Sequence, residues 1–187
     1  MMSNMKRIYL DHAAATLLDA TVARKMEHFS RHQYGNPSSL HKEGVSARRS
    51  IEAARVQIAD ILGAHNDEIV FTGSATEANT LALRGVIQKF CTTYPKIIRP
   101  EIIISKVEHS SLRSAAQAME KEGIVRVIEI PVDENGSVDL KALKDALTKK
   151  TALVSIMYAN NEIGTVESVR DIAKILRHHR KMQGTAY

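Results

Sequence analysis

Apolar residues at intervals of three and four predict that the first third of this chain is helical. Val22 and Phe29 belong to a helix predicted over 19–32, after a short extended lead-in. The same period predicts a longer helix over 40–62, which Gly63 ends. The residues expected to face inward are Val22, Met26 and Phe29 in the first helix and Ala47, Ile51, Ala54, Ile58 and Ile61 in the second.

Strand-like and helix-like segments alternate from residue 68 onward. Runs rich in Val, Ile and Phe predict strands, and runs with helical spacing predict the helices between them. The predicted strands cover 68–72, 101–105, 124–130 and 152–158, and the predicted helices cover 74–90, 110–122, 139–148 and 168–182. Such alternation calls for parallel strands with helices packed on the sheet. The predicted fold class is therefore α/β, with a mostly parallel sheet and helices on both faces.

The composition is that of an ordinary globular chain. Its 187 residues are 44% hydrophobic and 25% charged, which allows one domain with a sizeable core or a part of a larger one. The predicted organisation is an N-terminal extended segment over 1–18, followed by one partial domain over 19–187.

No apolar run approaches membrane-spanning length, and Lys6 and Arg7 interrupt the apolar core that a leader peptide needs, so we expect no membrane partner.

A net charge of +5 permits contact with nucleic acid, but the basic residues do not support a binding surface. The densest basic cluster, at 177–181, ends a predicted helix, where cations complement the helix dipole. Aromatic residues make up only 4% of the chain and Trp is absent, which argues against base stacking. The single cysteine, Cys91, excludes an internal disulfide framework and a cysteine-based metal site. We therefore expect a cytoplasmic protein without a nucleic-acid partner or a metal site.

Polar residues directly after the strand predicted over 68–72 indicate an anion site. Gly73 allows a tight turn, Ser74 can cap the helix that follows, and Glu77 stands where it can reach back to the capping residue. The first amides of a helix have no partner within it and lie at the positive end of its dipole, so they can hold a phosphate. The segment lacks the lysine of a P-loop and the glycines of a dinucleotide fingerprint. The same residues also fit a capping box that binds nothing.

Three polar segments follow predicted strands, at residues 74–76, at His109 and at residues 160–161. Ligands of parallel sheets bind at the carboxyl ends of the strands, so we expect these segments to share one crevice. Alone, His109 is typical of a surface or capping residue, and Asn160 and Asn161 are typical turn formers. Together they offer an anion site, a ring-stacking partner and a hydrogen bond to a ring oxygen. A flat aromatic cofactor with a phosphate tail requires those three roles.

Five motifs in order cover the whole chain. They are Tyr-Leu-Asp-His-Ala-Ala-Ala-Thr at 9–16, Tyr-Gly-Asn-Pro-Ser-Ser-Leu-His at 34–41, the segment 71–79, Val-Glu-His at 107–109, and the segment 154–164. In order and spacing they resemble the N-terminal part of the cysteine desulfurases, in the class V aminotransferase group of pyridoxal-phosphate enzymes. The resemblance implies a truncated large domain of the fold type I aminotransferase-like, PLP-dependent transferases.

The resemblance also implies a cofactor, pyridoxal 5'-phosphate, which would act as the electron sink. Its phosphate would contact Ala75 and Thr76, its ring would stack on His109, which can also move protons, and Asn161 would lie near its phenolic oxygen. The implied substrate is L-cysteine, which gives L-alanine and a persulfide on a cysteine thiolate. The implied partners are sulfur-acceptor proteins, for iron–sulfur cluster or thio-cofactor biosynthesis, and a second copy of the full-length chain in a homodimer.

Some features of the family differ here or have no counterpart. Leu17 stands where the family often has proline, and Thr80 stands where it often has asparagine. The Schiff-base lysine and the nucleophilic cysteine are absent from this chain, since no lysine has the required context and Cys91 does not match the nucleophile's position. We therefore expect the chain to be a fragment that is inactive alone. Two alternatives stay open: another class V enzyme such as a selenocysteine lyase, and a non-catalytic interaction module that pairs with another subunit.

We expect the 187-residue chain to form no covalent bond with pyridoxal phosphate at one specific lysine, because no lysine stands in the family's Schiff-base motif. The chain is mixed with the cofactor, reduced with borohydride and digested, and labelled peptides are identified by mass spectrometry. The expected result is weak labelling scattered over several lysines. A single stoichiometrically labelled lysine would show that the Schiff-base residue is present after all.

Overall fold

The computed structural model describes residues 8–183. They form two compact units that divide after Phe71. The predicted boundary after residue 18 stays a prediction. Residues 1–7 and 184–187, which belong to the predicted N-terminal segment and partial domain, lie outside the described residues.

The first unit is helical, as predicted. It contains α1 (Ala20–His32), α2 (Lys42–Leu62) and a single 3-10 turn at Asn66–Glu68. Asp19 caps α1, because its Oδ1 accepts the N–H of Thr21 at 2.7 Å and a second amide of the first turn. These backbone hydrogen bonds hold the pKa of Asp19 below its usual range.

The inward faces predicted for these two helices are wrong for most of their residues. α1 buries none of its residues, and in α2 only Ala47 of the predicted inward set is buried. Phe29 is 44% exposed and Ile61 is 83% exposed. The hydrophobic spacing predicted the helices correctly. Among the described residues of this unit, however, no further layer of helix or sheet covers their apolar faces.

The strand predicted over 68–72 is not formed, which corrects the interpretation from sequence. Ile69 is extended, with φ −92° and ψ 121°, but no strand pairs with this segment among the described residues. The side chain of Arg55 holds the segment instead. Its guanidinium donates to the carbonyl of Ile69 and lies 5.0 Å from the ring centre of Phe71. Phe71 is 47% exposed, so the segment is an extended coil and not a buried strand.

The second unit alternates helices and strands as the sequence predicts. In chain order they are α3 (Ala75–Thr93), β1 (Glu101–Ser105), α4 (Ser110–Lys121), β2 (Arg126–Ile130), α5 (Leu140–Ala146), β3 (Thr151–Ser155) and α6 (Val169–Gln183). Side chains fix three of the helix starts. Ser74, His109 and Asp139 accept N–H groups from the first turns of α3, α4 and α5.

The three strands form one parallel sheet in the order β2-β1-β3, which confirms the predicted parallel pairing. β1 lies in the centre, and all of its residues are buried. Ile103 pairs with Ile128 of β2 and with Val154 of β3, so the central strand is bonded on both sides. Among the described residues, β2 and β3 are the edge strands, and they are more exposed.

Helices cover both faces of the sheet, as predicted. One apolar cluster joins β1 to α3 and α4, and its buried members are Leu83, Ile87, Ile102, Ile104, Ala116, Met119 and Val125. Ile103 faces the other way and packs with Leu143 of α5 and Ile172 of α6. The chain moves from β1 to β2 in one direction and from β2 past β1 to β3 in the other. Right-handed crossovers in opposite directions place α4 and α5 on opposite faces.

Truncation of a buried side chain of α3 tests this core. Leu83 is 1% exposed, and Leu83→Ala leaves a cavity in the first apolar cluster. We expect the free energy of unfolding to fall by about 2–5 kcal/mol. Leu81→Ala is the matched control on the same helix, because Leu81 is 53% exposed, and it should lower that free energy by less than about 1 kcal/mol. Urea denaturation measures both, and equal losses would contradict this packing of α3.

Candidate functional site

The sheet topology opens a crevice between the adjacent strands β1 and β3. After β1 the chain turns to α4 on one face, and after β3 it turns to α6 on the other. Ligands of parallel sheets bind where neighbouring strands send their connections to opposite faces, outside the carboxyl ends. Residues 106–109 leave β1 at this edge, and residues 156–161 leave β3. The topology therefore brings His109 and Asn161 to the same edge of the sheet.

The start of α3 is the candidate anion site, and we call it the anion cradle (residues 74–76). Ser74 Oγ accepts the N–H of Glu77 at 3.1 Å, and Glu77 Oε2 accepts the N–H of Gly73 at 2.7 Å. Glu77 thus reaches one residue beyond the capping residue predicted as its partner. An α-helix gives the amides of Ala75 and Thr76 no acceptor of its own, and both residues are exposed. An anion can approach these amides at the positive end of the helix dipole.

His109 caps α4 and is linked to α3 through a serine. Its Nδ1 accepts the N–H of Ser111 at 3.1 Å and lies 2.8 Å from Ser111 Oγ. That hydroxyl accepts a hydrogen bond from Asn79 Nδ2 at 2.9 Å. Asn79 belongs to α3, so the helix that begins at the anion cradle is joined to His109. Neither Asn79 nor Ser111 is among the predicted site residues, and no local pattern marks them, because their bond spans 32 residues of sequence.

Glu108 joins the loops that follow β1 and β3. The residue is 8% exposed, and its Oε1 accepts the hydroxyl hydrogen of Ser105 at 3.0 Å and the N–H of Met157 at 2.6 Å. Burial raises the pKa of the Glu108 carboxyl; the two hydrogen bonds and Arg113 oppose this shift, and Glu167 adds to it. This carboxyl is not among the predicted site residues. In the sequence, the one signal for Glu108 is its position as an acidic residue three positions after the end of a buried strand.

Asn160 and Asn161 stand in the turn after β3, and Asn160 shapes that turn. Its Nδ2 donates to the carbonyl of Val107 at 3.0 Å. Its Oδ1 accepts the N–H groups of Glu162 at 2.9 Å and Ile163 at 3.1 Å. Asn160 therefore fastens the turn to the loop after β1. Asn161 is exposed in the same turn.

The turn at 133–138 packs against the loop after β3. Gly136 has a φ of +79°, and a side-chain carbon in its place would come within 2.3 Å of Ile163 Cδ1. Such a close, left-handed position favours glycine. The buried carboxylate of Glu167 accepts the N–H of Val138, at 3.2 Å from each oxygen. Packing and hydrogen bonds thus both fix the loop after β3.

Cys91 lies near the end of α3 as a half-buried thiol packed against the first apolar cluster. That packing is what a structural cysteine requires. Among residues 8–183, no group of three or more His, Cys, Asp or Glu side chains is arranged to hold a metal ion. None of the helices described in that range has the length and apolar character to cross a membrane.

Comparison of sequences identifies one matching family and many relatives. The model of the family described as aminotransferase class V matches residues 8–183. A protein of Dictyoglomus turgidum named cysteine desulfurase IscS is 44% identical over 176 residues, which are 94% of this chain and 43% of that protein.

Solved structures give the same likeness. A NifS-like protein superposes with a TM-score of 0.85 at 36% identity, over 94% of this chain and 47% of its own. A structure described as SspA in complex with cysteine superposes with a TM-score of 0.82 at 32% identity, over 91% of this chain and 48% of its own. The chain thus spans less than half the length of these proteins and shares their fold over that part.

Glu108→Gln should reveal the buried carboxyl through the pH dependence of stability. Glutamine keeps an oxygen that accepts both hydrogen bonds, but it does not ionise. Because the pKa of Glu108 is raised, the folded chain retains this proton at pH values where the unfolded chain has lost it. The parent therefore loses stability as the pH rises from the ordinary glutamate pKa through the raised one. We expect the free energy of unfolding of the variant, relative to the parent, to increase as the pH rises above about 4, the ordinary glutamate pKa.

Urea unfolding at a series of pH values measures this difference. Glu134→Gln is the matched control, because it makes the same substitution at a glutamate that is exposed in a turn. A difference for Glu108→Gln that stays flat, or that shrinks as the pH rises, would contradict a raised pKa for this group.

Proposed function

The chain belongs to the class V aminotransferase family, and on that basis we propose that it provides the phosphate site and the ring-stacking histidine of a pyridoxal-phosphate-dependent cysteine desulfurase. One observation carries the proposal: an anion cradle, a histidine and an asparagine stand on three segments that hydrogen bonds join at the carboxyl edge of the sheet. The relative named cysteine desulfurase IscS supports the same activity. Because the chain spans 43% of that relative, the complete activity is proposed for the whole protein.

The donors of the anion cradle fit the phosphate of the cofactor. A phosphate requires N–H and O–H donors at a positive potential, and α3 offers the amides of Ala75 and Thr76 and the Thr76 hydroxyl. The nearby carboxylate of Glu77 accepts a hydrogen bond from the N–H of Gly73. When bound, pyridoxal phosphate supplies an electron sink for the substrate.

His109 and Asn161 would complete the site, and both are exposed. The imidazole of His109 would stack on the cofactor ring, and its Nε2 would exchange protons, because Nδ1 is engaged by Ser111. The side-chain amide of Asn161 would donate to the phenolic oxygen. The hydrogen-bonded loops around both residues support a site that is largely preorganised before a ligand arrives.

L-Cysteine is the proposed substrate, and L-alanine is the product once the sulfur has left. The likeness to the structure described as SspA in complex with cysteine supports this choice. The sulfur would pass as a persulfide to a nucleophilic cysteine other than Cys91. From there it would reach acceptor proteins, for iron–sulfur cluster or thio-cofactor biosynthesis.

We further propose that the whole protein is a cytoplasmic homodimer. The α1 side chains of Val22, Met26 and Phe29 are 47%, 55% and 44% exposed, and an apolar face of this kind is typical of an interaction surface. A single unpaired cysteine fits a reducing compartment.

Thr76→Val should weaken phosphate binding. Valine keeps the shape of threonine and removes the hydroxyl, so the phosphate loses one charge-assisted hydrogen bond, worth about 1.5–3 kcal/mol. Pyridoxine 5'-phosphate is the probe, because it lacks the aldehyde and does not react with lysines. Its dissociation constant from the 187-residue chain should rise roughly 10- to 150-fold, measured by fluorescence titration.

Matched variants make this result specific. Thr76→Ser retains a hydroxyl and should bind like the parent. Thr92→Val removes a hydroxyl that bonds the carbonyl of Gln88 near the end of α3, and it should leave the affinity unchanged. Ser74→Ala should mainly lower helix stability, by about 1 kcal/mol. Pyridoxine without phosphate should bind all variants alike. Equal affinity of Thr76→Val and the parent for the phosphate ester would refute the assignment.

A further inference from the structure

A continuous hydrogen-bonded chain runs from α3 to the candidate site through Asn79, Ser111 and His109. The amide nitrogen of Asn79 can only donate, so Ser111 Oγ accepts this bond at 2.9 Å. The single hydroxyl hydrogen of the serine is then available to Nδ1 of His109, at 2.8 Å. The backbone N–H of Ser111 donates to the same Nδ1 at 3.1 Å. Two donors therefore point at one ring nitrogen.

Nδ1 of His109 must be an unprotonated acceptor to receive these donors. In a neutral imidazole the proton then sits on Nε2. The ring thus presents an N–H, and not a lone pair, on the side away from Ser111. A flip of the ring would lose both hydrogen bonds, so the same contacts set its orientation and its tautomer.

We propose that Asn79 and Ser111 are positioning residues that fix the orientation and the Nε2–H tautomer of His109. The proposal depends on the proposed function in one respect only, which is the identity of the group that accepts a hydrogen bond from Nε2–H. That group would belong to a bound cofactor or substrate. Asn79 follows Thr76 by about one turn on α3. The helix that would hold the phosphate therefore also fixes the orientation of His109. One rigid element thus determines the distance between the anion cradle and the Nε2 donor.

The test is the tautomer of His109 in the 187-residue chain without cofactor. Protein labelled with 15N-histidine is measured by long-range 1H–15N correlation at about pH 8.5, where an ordinary histidine is neutral. His109→Gln identifies the signals of this ring among the eight histidines. The parent should show an unprotonated Nδ1 and a protonated Nε2.

Ser111→Ala should lower the ratio of the Nε2–H form to the Nδ1–H form roughly fivefold, the effect of one lost hydrogen bond. Ser111→Thr keeps the hydroxyl and should keep the parental ratio. Asn79→Ala should shift the ratio in the same direction as Ser111→Ala. Combining the two should cause no further change, because Asn79 acts through the serine hydroxyl. Ser114→Ala, at an exposed serine on α4, is the matched control and should match the parent.

An unchanged ratio in Ser111→Ala, or additive effects of the two substitutions, would overturn the proposal. If Ser111→Ala does not fold, Asn79→Ala decides, because an unchanged ratio there overturns the proposal equally. The titration with pyridoxine 5'-phosphate is a separate measurement. Failure of the parent to bind that ester would contradict the proposed function, whereas the tautomer ratio, measured without cofactor, still decides the positioning roles.

Discussion

Burial of the central strand β1 is the constraint on which the second unit depends. Its three isoleucines, Ile102, Ile103 and Ile104, are fully buried and alternate between the two apolar clusters. Burial of each such side chain contributes about 1.5–3 kcal/mol, and β1 also bonds to a strand on either side. Because α3 and α4 share one cluster with it and α5 and α6 the other, loss of β1 would release both layers of helices and both outer strands together.

The central position of β1 also decides where chemistry can occur. The chain leaves β1 and β3 toward opposite faces, which opens a crevice between the two loops, and the polar side chains of Glu108 and Asn160 lie in these loops. A buried carboxylate such as Glu108 loses its hydration, and its two hydrogen bonds offset part of that loss. Together with the bond from Asn160 to Val107, these contacts hold the two loops at a fixed separation. In the proposed site, His109 and Asn161 would therefore present their polar groups without a large rearrangement.

Local patterns in the sequence predicted most elements of the second unit and little of the packing of the first. The strand at 101–105 and the helices around it depend on residues close in sequence, so their hydrophobic period reveals them. The strand expected at 68–72 failed because a strand needs another strand beside it, and the side chain of Arg55 takes a carbonyl of this segment instead. His109 and residues 160–161 stand after strands, as the sequence indicated, whereas residues 74–76 follow an extended coil; the roles of all three segments stay proposals. The bond between Asn79 and Ser111 could not be predicted, since single polar residues far apart in sequence leave no periodic signal.

The ties between the two loops run from side chain to backbone, and this has a consequence for evolution. Glu108 binds the amide of Met157, and Asn160 binds the carbonyl of Val107. Any residue except proline at position 157 offers that amide, and any residue at position 107 offers that carbonyl. Substitutions at 107 and 157 can therefore accumulate without weakening either bond, yet none of them can compensate for the loss of the glutamate or the asparagine. The coupling between the loops would then persist as sequences diverge, with positions 108 and 160 constant and positions 107 and 157 free to vary. Because 107 and 157 would vary independently, the coupling would leave no trace of covariation among homologues.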